Sequence, residues 1–168
     1  MKKFCLLALC MACFSLMANA DNHKRITLDA LLIGVNETPP TASNAIGIFK
    51  AVENSDGNFD FTLTFSGLAA NAAVSHIHFG LTKESGGVMI FLCGGGNQPA
   101  CPDATSGTIT GTFGAANVTG PIGQGVAVGD FATALKQVLR GASYANLHNA
   151  TFPGGEIRGK VNVHVGRW

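Results

Sequence analysis

Between residues 59 and 65, Phe59, Phe61, Leu63 and Phe65 alternate with Asp60, Thr62 and Thr64, the period of a strand that buries one face. Residues 45–52 read as a second strand, and Asn54-Ser55-Asp56-Gly57-Asn58 between the two predicts a hairpin turn, because Asp-Gly supplies the positive φ angles such turns need. Further strands are expected over residues 25–33, 74–79, 88–92, 107–113, 143–148 and 156–165. Short strands at regular spacing with turn residues between them predict an all-β sandwich or barrel. One segment follows the helical period instead: residues 131–140 place Phe131, Leu135 and Val138 on one face, with Asp130 as N-cap and Gly141 as stop. We expect a single short crossover helix there, capping one end of the strands.

The first twenty residues have a different pattern. Lys2 and Lys3 precede a run from Phe4 to Met17 that is apolar apart from Ser15, and Ala18-Asn19-Ala20 closes it with the small-x-small pattern that signal peptidase requires. The run is too short to span a bilayer, which takes about 20 apolar residues. Cys5, Cys10 and Cys13 sit too early, or lack the small residues expected before a lipidated cysteine. Residues 1–20 are therefore expected to be a signal peptide and residues 21–168 one mature domain, periplasmic or secreted, with no membrane anchor after cleavage.

Removing the leader takes two of eleven basic residues and none of ten acidic ones, which leaves a net charge of −1 with His neutral. No basic stripe remains, so nucleic acid is not an expected partner; a protein or a small ligand is. Of the five cysteines, Cys93 and Cys101 remain, and an even pair in an exported chain predicts a disulfide. Two thiolates supply only half of a structural zinc shell.

Several segments resemble the CHRD domain, a family named from chordin. Leu32-Ile33-Gly34-Val35-Asn36-Glu37-Thr38-Pro39-Pro40 is similar to its opening strand and E-x-P-P turn, and Ala45-Ile46-Gly47 to its next strand. Ser75-His76-Ile77-His78-Phe79-Gly80 is similar to the H-I-H-x-G block. Tyr144-Ala145-Asn146-Leu147-His148 and Pro153-Gly154-Gly155-Glu156-Ile157-Arg158-Gly159 are similar to the closing Y-x-N-x-H and P-x-G-E-I-R-G blocks. The resemblance runs from about Ile26 to Val165. It implies a Greek-key-like β-sandwich and a binding or structural module, with no general enzymatic activity to carry over. Asn149 departs from the Thr usual after the closing His, and the loop between Cys93 and Cys101 is an insertion.

Strand parity organises the candidate chemistry. Val74, His76 and His78 share a face opposite Ile77 and Phe79; Tyr144, Asn146 and His148 share a face opposite Ala145 and Leu147. If the two strands are neighbours, His76, His78 and His148 form a cluster of neutral nitrogen ligands that suits Cu or Zn, with Tyr144 or Asn146 orienting an imidazole. The H-I-H pair, the later His and Arg158 also resemble, more weakly, the copper side of a Cu/Zn superoxide dismutase-like sandwich. A bridging His and a zinc loop are missing from that likeness. The alternative is that the imidazoles simply hydrogen-bond carbonyls or Asn146. Glu156 and Arg158 are expected to form a buried polar bracket, with Arg158 pairing bidentately with Glu156 or Glu37. His23 and His164 are expected at the surface. No nucleophile elbow, P-loop or dinucleotide fingerprint is present, so an enzyme is not the favoured reading. That reading is an exported binding or structural module; the alternative is a copper-binding, superoxide dismutase-like metalloprotein.

Overall fold

A computed structural model describes residues 24–167. The expected signal peptide, residues 1–20, and His23 lie outside the described residues. The fold is all-β with one helix. Its strands are β1 (Lys24–Ile33), β2 (Ile46–Glu53), β3 (Phe59–Ser66), β4 (Ala72–Phe79), β5 (Gly87–Cys93), β6 (Gly107–Phe113), β7 (Ser143–Asn149), β8 (Ile157–Lys160) and β9 (Asn162–Arg167), with α1 (Phe131–Leu139) between β6 and β7. All pairings are antiparallel.

The strand order is β5-β4-β7-β8-β1-β2-β3-β6, with β9 also on β1. The sheet folds over into a sandwich. One layer is β5-β4-β7-β8 and the other is β9 with β1-β2-β3-β6. β3 and β6 are neighbours while the β4–β5 hairpin between them in sequence lies in the other layer, which is the Greek-key connection.

Inward-facing residues of both layers make one core: Phe49, Phe59, Leu63, Phe65 and Phe113 from the first, Ile77, Ala145, Leu147 and Ile157 from the second. The alternation over residues 59–65 is observed in full, with each apolar residue buried and each polar one exposed. Helix α1 closes one end. The Asp130 carboxylate accepts from Thr133 N–H at 3.0 Å, Ala134 and Val138 are buried, and the Phe131 ring packs 6.3 Å from both Phe59 and Phe113.

Two features differ from the sequence expectation. The last strand is two strands: at Val161 the chain leaves β7 and continues along β1. Gly159 makes this crossing possible, because a Cβ there would collide with the Leu31 carbonyl on β1. The second feature is a pair of irregularities in the β4–β5 pairing. His76 pairs with Phe91 and Ser75 with Cys93, while Ile77 pairs with Ile90 and His78 with Val88. Leu92 and Met89 are the extra residues of two bulges, a device that re-aims side chains. Here it turns Phe91 to the outer face, beside His76. Cys93 and Cys101 are joined in a disulfide that closes the start of the β5–β6 connection, with Cα atoms 5.0 Å apart.

Candidate functional site

β4, β7 and β8 lie side by side, and their register aligns the polar residues in rows: His76 opposite Asn146 opposite Arg158, His78 opposite Tyr144, and Val74 opposite His148. Parity alone places this face outside the core, and so it is. It is nevertheless covered. His76, His78 and His148 are 6%, 8% and 9% exposed, and Arg158 is 3% exposed. The cover comes from the loop of residues 80–86, the Glu37 turn, Pro153 and the Phe91 ring, which stands edge-on to His76 with centroids 4.9 Å apart.

The three imidazoles converge. One ring nitrogen from each lies within 4.8 Å of the other two. His76 Nδ1 is 3.0 Å from His78 Nε2, and the Asn146 carboxamide oxygen is 3.1 Å from both. Donors sharing one ion at about 2.1 Å in tetrahedral geometry stand about 3.4 Å apart, so to hold a metal the 3.0 Å His76–His78 pair opens slightly and the wider separations, up to 4.8 Å, close.

Backbone carbonyls fix two of the tautomers. His78 Nδ1 lies 2.8 Å from the Gly86 carbonyl and His148 Nδ1 lies 3.0 Å from the Pro153 carbonyl. A carbonyl only accepts, so both Nδ1 atoms carry the hydrogen and both Nε2 atoms present lone pairs. His148 Nε2 is buried with no hydrogen-bond partner among the described residues. A metal-ligating imidazole held through its other nitrogen in this way has the usual outer-sphere support of a metal site.

The cluster is electrically neutral near neutral pH. Burial lowers the His76 pKa to about 3, helped by His148 and His78 and opposed by Asn146. Burial lowers His78 to about 4; the Gly86 carbonyl opposes the shift, while His148 and Arg158 add to it. His148 is lowered by burial and by Arg158, against the Pro153 carbonyl. Neutral imidazole is the form that binds metals.

Behind the cluster is a stack. The Tyr144 ring lies parallel to His78, with centroids 4.7 Å apart and 5° between planes, and the Arg158 guanidinium sits 4.3 Å from the Tyr144 centroid on its other side. Arg158 Nε donates to Glu37 Oε2 at 2.7 Å, and Nη1 donates to the Glu84 and Thr82 carbonyls at 2.8 and 3.3 Å. Gly86 N–H donates to the Tyr144 hydroxyl at 3.1 Å. His78, Tyr144 and Arg158 thus clamp the loop of residues 80–86 over the site. Burial pushes the Glu37 carboxyl up, against the pull of Arg158. That carboxylate lies on Gly155, where a Cβ would come within 2.6–2.9 Å of it and where φ is +120°.

The Glu156–Arg158 bracket is corrected by this geometry. The two side chains do not pair with each other: Arg158 takes Glu37, through one nitrogen rather than bidentately. Glu156 points the other way, into the core side of the sandwich end. It accepts from Ser43 Oγ at 2.5 Å, from Ala69 N–H at 3.0 and 3.1 Å and from the Asn149 amide. Strand parity misled because Glu156 lies just outside β8 and follows Gly155 at φ +120°, where the regular alternation of a strand does not hold. Asn149, noted only as a departure, is the centre of this network; its side-chain Oδ1 also accepts from the Thr151 and Phe152 N–H groups. His164 is at the surface, 2.5 Å from Asp29. Phe91 and Gly86 carried no signal in the sequence, since one acts through a bulge and the other through its backbone carbonyl, and Pro153 was legible as part of the closing block but not as a partner of His148.

Among the described residues, no helix is long and apolar enough to cross a membrane. Comparison with curated proteins and with solved structures returns no match. A family model, the CHRD domain, matches residues 28–161. That span holds every strand of the site, and a match over most of the chain is decisive: the chain belongs to the CHRD domain family, a family of binding or structural modules.

Proposed function

We propose that this chain is an exported metal-binding module that holds one Cu or Zn ion on His76, His78 and His148. The observation that carries the reading is the buried, unpartnered Nε2 of His148, aimed at two further imidazole nitrogens. Leaving a buried polar atom unpaired costs about 1–3 kcal/mol, and an ion offsets that cost. His78 Nε2 carries no hydrogen, so the 3.0 Å contact with His76 Nδ1 makes His76 Nδ1 the donor; an ion bound at that atom would require the hydrogen to move to Nε2, with no change in the ring's charge. Export is supported by the leader pattern over residues 1–20 and by the disulfide, which belongs to oxidising compartments.

Superoxide dismutation is not part of the proposal. Arg158, which that likeness casts as a steering residue, is buried and committed to Glu37, Glu84 and Thr82, and a solvent anion has no access to it. The test is titration of purified mature protein with Cu and with Zn, against His78→Ala and His148→Ala. One ion per chain in wild type, lost in both variants, supports the site. Equal binding by wild type and variants leaves a hydrogen-bonded imidazole cluster with a purely structural role.

A further inference from the structure

Resting on that metal-site reading, we infer that the ion this site selects is monovalent copper, Cu(I), rather than Zn(II) or Cu(II). Donor type does not choose, because imidazole suits both copper and zinc. Charge and coordination number do.

Every donor at the site is neutral. Among the described residues, no carboxylate or thiol joins the three imidazoles, and the one further donor, the Asn146 amide oxygen, is also uncharged. The outer partners of His78 and His148 are the Gly86 and Pro153 carbonyls, where many zinc sites place a carboxylate that lends negative charge through the ring. The two buried carboxylates of the fold are taken: Glu37 by Arg158, and Glu156, which points away from the cluster, by Ser43, Ala69 and Asn149. The charged group that the stack brings toward the cluster is a cation, the Arg158 guanidinium across Tyr144 from His78.

A bare ion loses hydration energy in proportion to the square of its charge when it enters a poorly polarisable interior. A dication therefore loses four times what a monocation of the same size loses, and its repulsion by Arg158 is twice as large. Glu37, paired with Arg158, offsets part of that repulsion, but no anion stands among the donors themselves. Coordination number points the same way. Structural zinc takes four ligands, while the cluster offers three imidazoles and, as the one further donor within reach, the neutral Asn146 amide oxygen. Cu(I), a closed-shell ion, accepts three nitrogens.

The experiment is anaerobic competition of the mature, disulfide-intact protein for Cu(I) against bicinchoninate, and for Zn(II) and Cu(II) against chromophoric chelators. The expected result is Cu(I) binding tighter than either dication by at least about a hundredfold. Zn(II) or Cu(II) bound as tightly as Cu(I) overturns the inference and leaves the metal site standing. Failure of all three ions to bind above the His148→Ala background overturns the metal site itself. Asn146→Asp places an anion 3.1 Å from two of the nitrogens. It should narrow the gap between Cu(I) and Zn(II), and an unchanged gap in the folded variant counts against the charge argument. The wild-type titrations decide the matter whether or not that variant folds.

Discussion

The outer faces of the two layers are built to opposite rules. On β2 and β3 the outward residues, Lys50, Asp60, Thr62 and Thr64, stand in solvent, and even Ile46 and Ile48 are about half exposed. On β4, β7 and β8 six outward residues, His76, His78, Tyr144, Asn146, His148 and Arg158, are each less than a tenth exposed, while Val74 and Lys160 at the rim of this face are more open. The second face carries the more polar side chains yet is the one that is covered. Burying polar groups is unfavourable unless each is paired, and here nearly all are, by carbonyls, by Glu37 or by one another. Two of the three buried side-chain atoms left without a partner among the described residues, His148 Nε2 and Glu37 Oε1, lie on this face; the third is Ser143 Oγ. A fold that only needed a stable sandwich would follow the β2–β3 rule on both sides. The covered face is where the proposed metal site lies.

Acid should break the contrast most severely. The unfolded chain protonates its histidines near pH 6.5, whereas His76 and His78 in the fold resist protonation down to about 3 and about 4. Between those values the unfolded state binds more protons, so stability falls as pH falls and is flat above pH 6.5. From pH 6.5 to 4.5 two such groups amount to a loss on the order of 5 kcal/mol. Denaturant unfolding across that range checks it, and His76→Gln with His78→Gln should flatten the profile.

Arg158→Met comes next. It leaves the Glu37 carboxylate buried and unpaired and releases the Thr82 and Glu84 carbonyls, at about 3–5 kcal/mol. An unfolding midpoint that barely moves would show the pair to be solvated. Reducing the Cys93–Cys101 bond removes a short-loop constraint worth about 2–3 kcal/mol. It also loosens Phe91, whose ring lies against the Gly95 and Gly96 backbone. Reduced protein should therefore melt lower and exchange metal faster; loss of stability with unchanged exchange would detach Phe91 from the site. On the other layer, Lys50→Ala should stay within about 0.5 kcal/mol of wild type, and a larger effect there would erase the contrast.

What could be read from the chain follows the same division. The β2–β3 hairpin, the alternation from Phe59 to Phe65, the strand Gly107–Phe113 and the helix with its Asp130 cap were legible, because local patterns determine them. The three histidines were legible as a group because parity and neighbouring strands suffice to bring them together. Their burial was not. Its causes are irregular segments with no period, residues 80–86 and the Glu37 turn, and the bulges hidden in the continuous apolar run Val88-Met89-Ile90-Phe91-Leu92. The partner of Arg158 was legible only as one of two choices, since Glu37 lies 121 residues away in sequence while Glu156 is two away. Sequence proximity favoured the wrong carboxylate.

The central claim, that one metal ion sits on His76, His78 and His148, is tested most directly by X-ray absorption of copper- or zinc-loaded protein. Three nitrogen scatterers near 2.0–2.1 Å, with the outer-shell pattern of imidazole rings and a signal lost in His148→Ala, are the predicted result. A first shell of oxygen alone, or one with sulfur, would place the metal elsewhere and contradict the account.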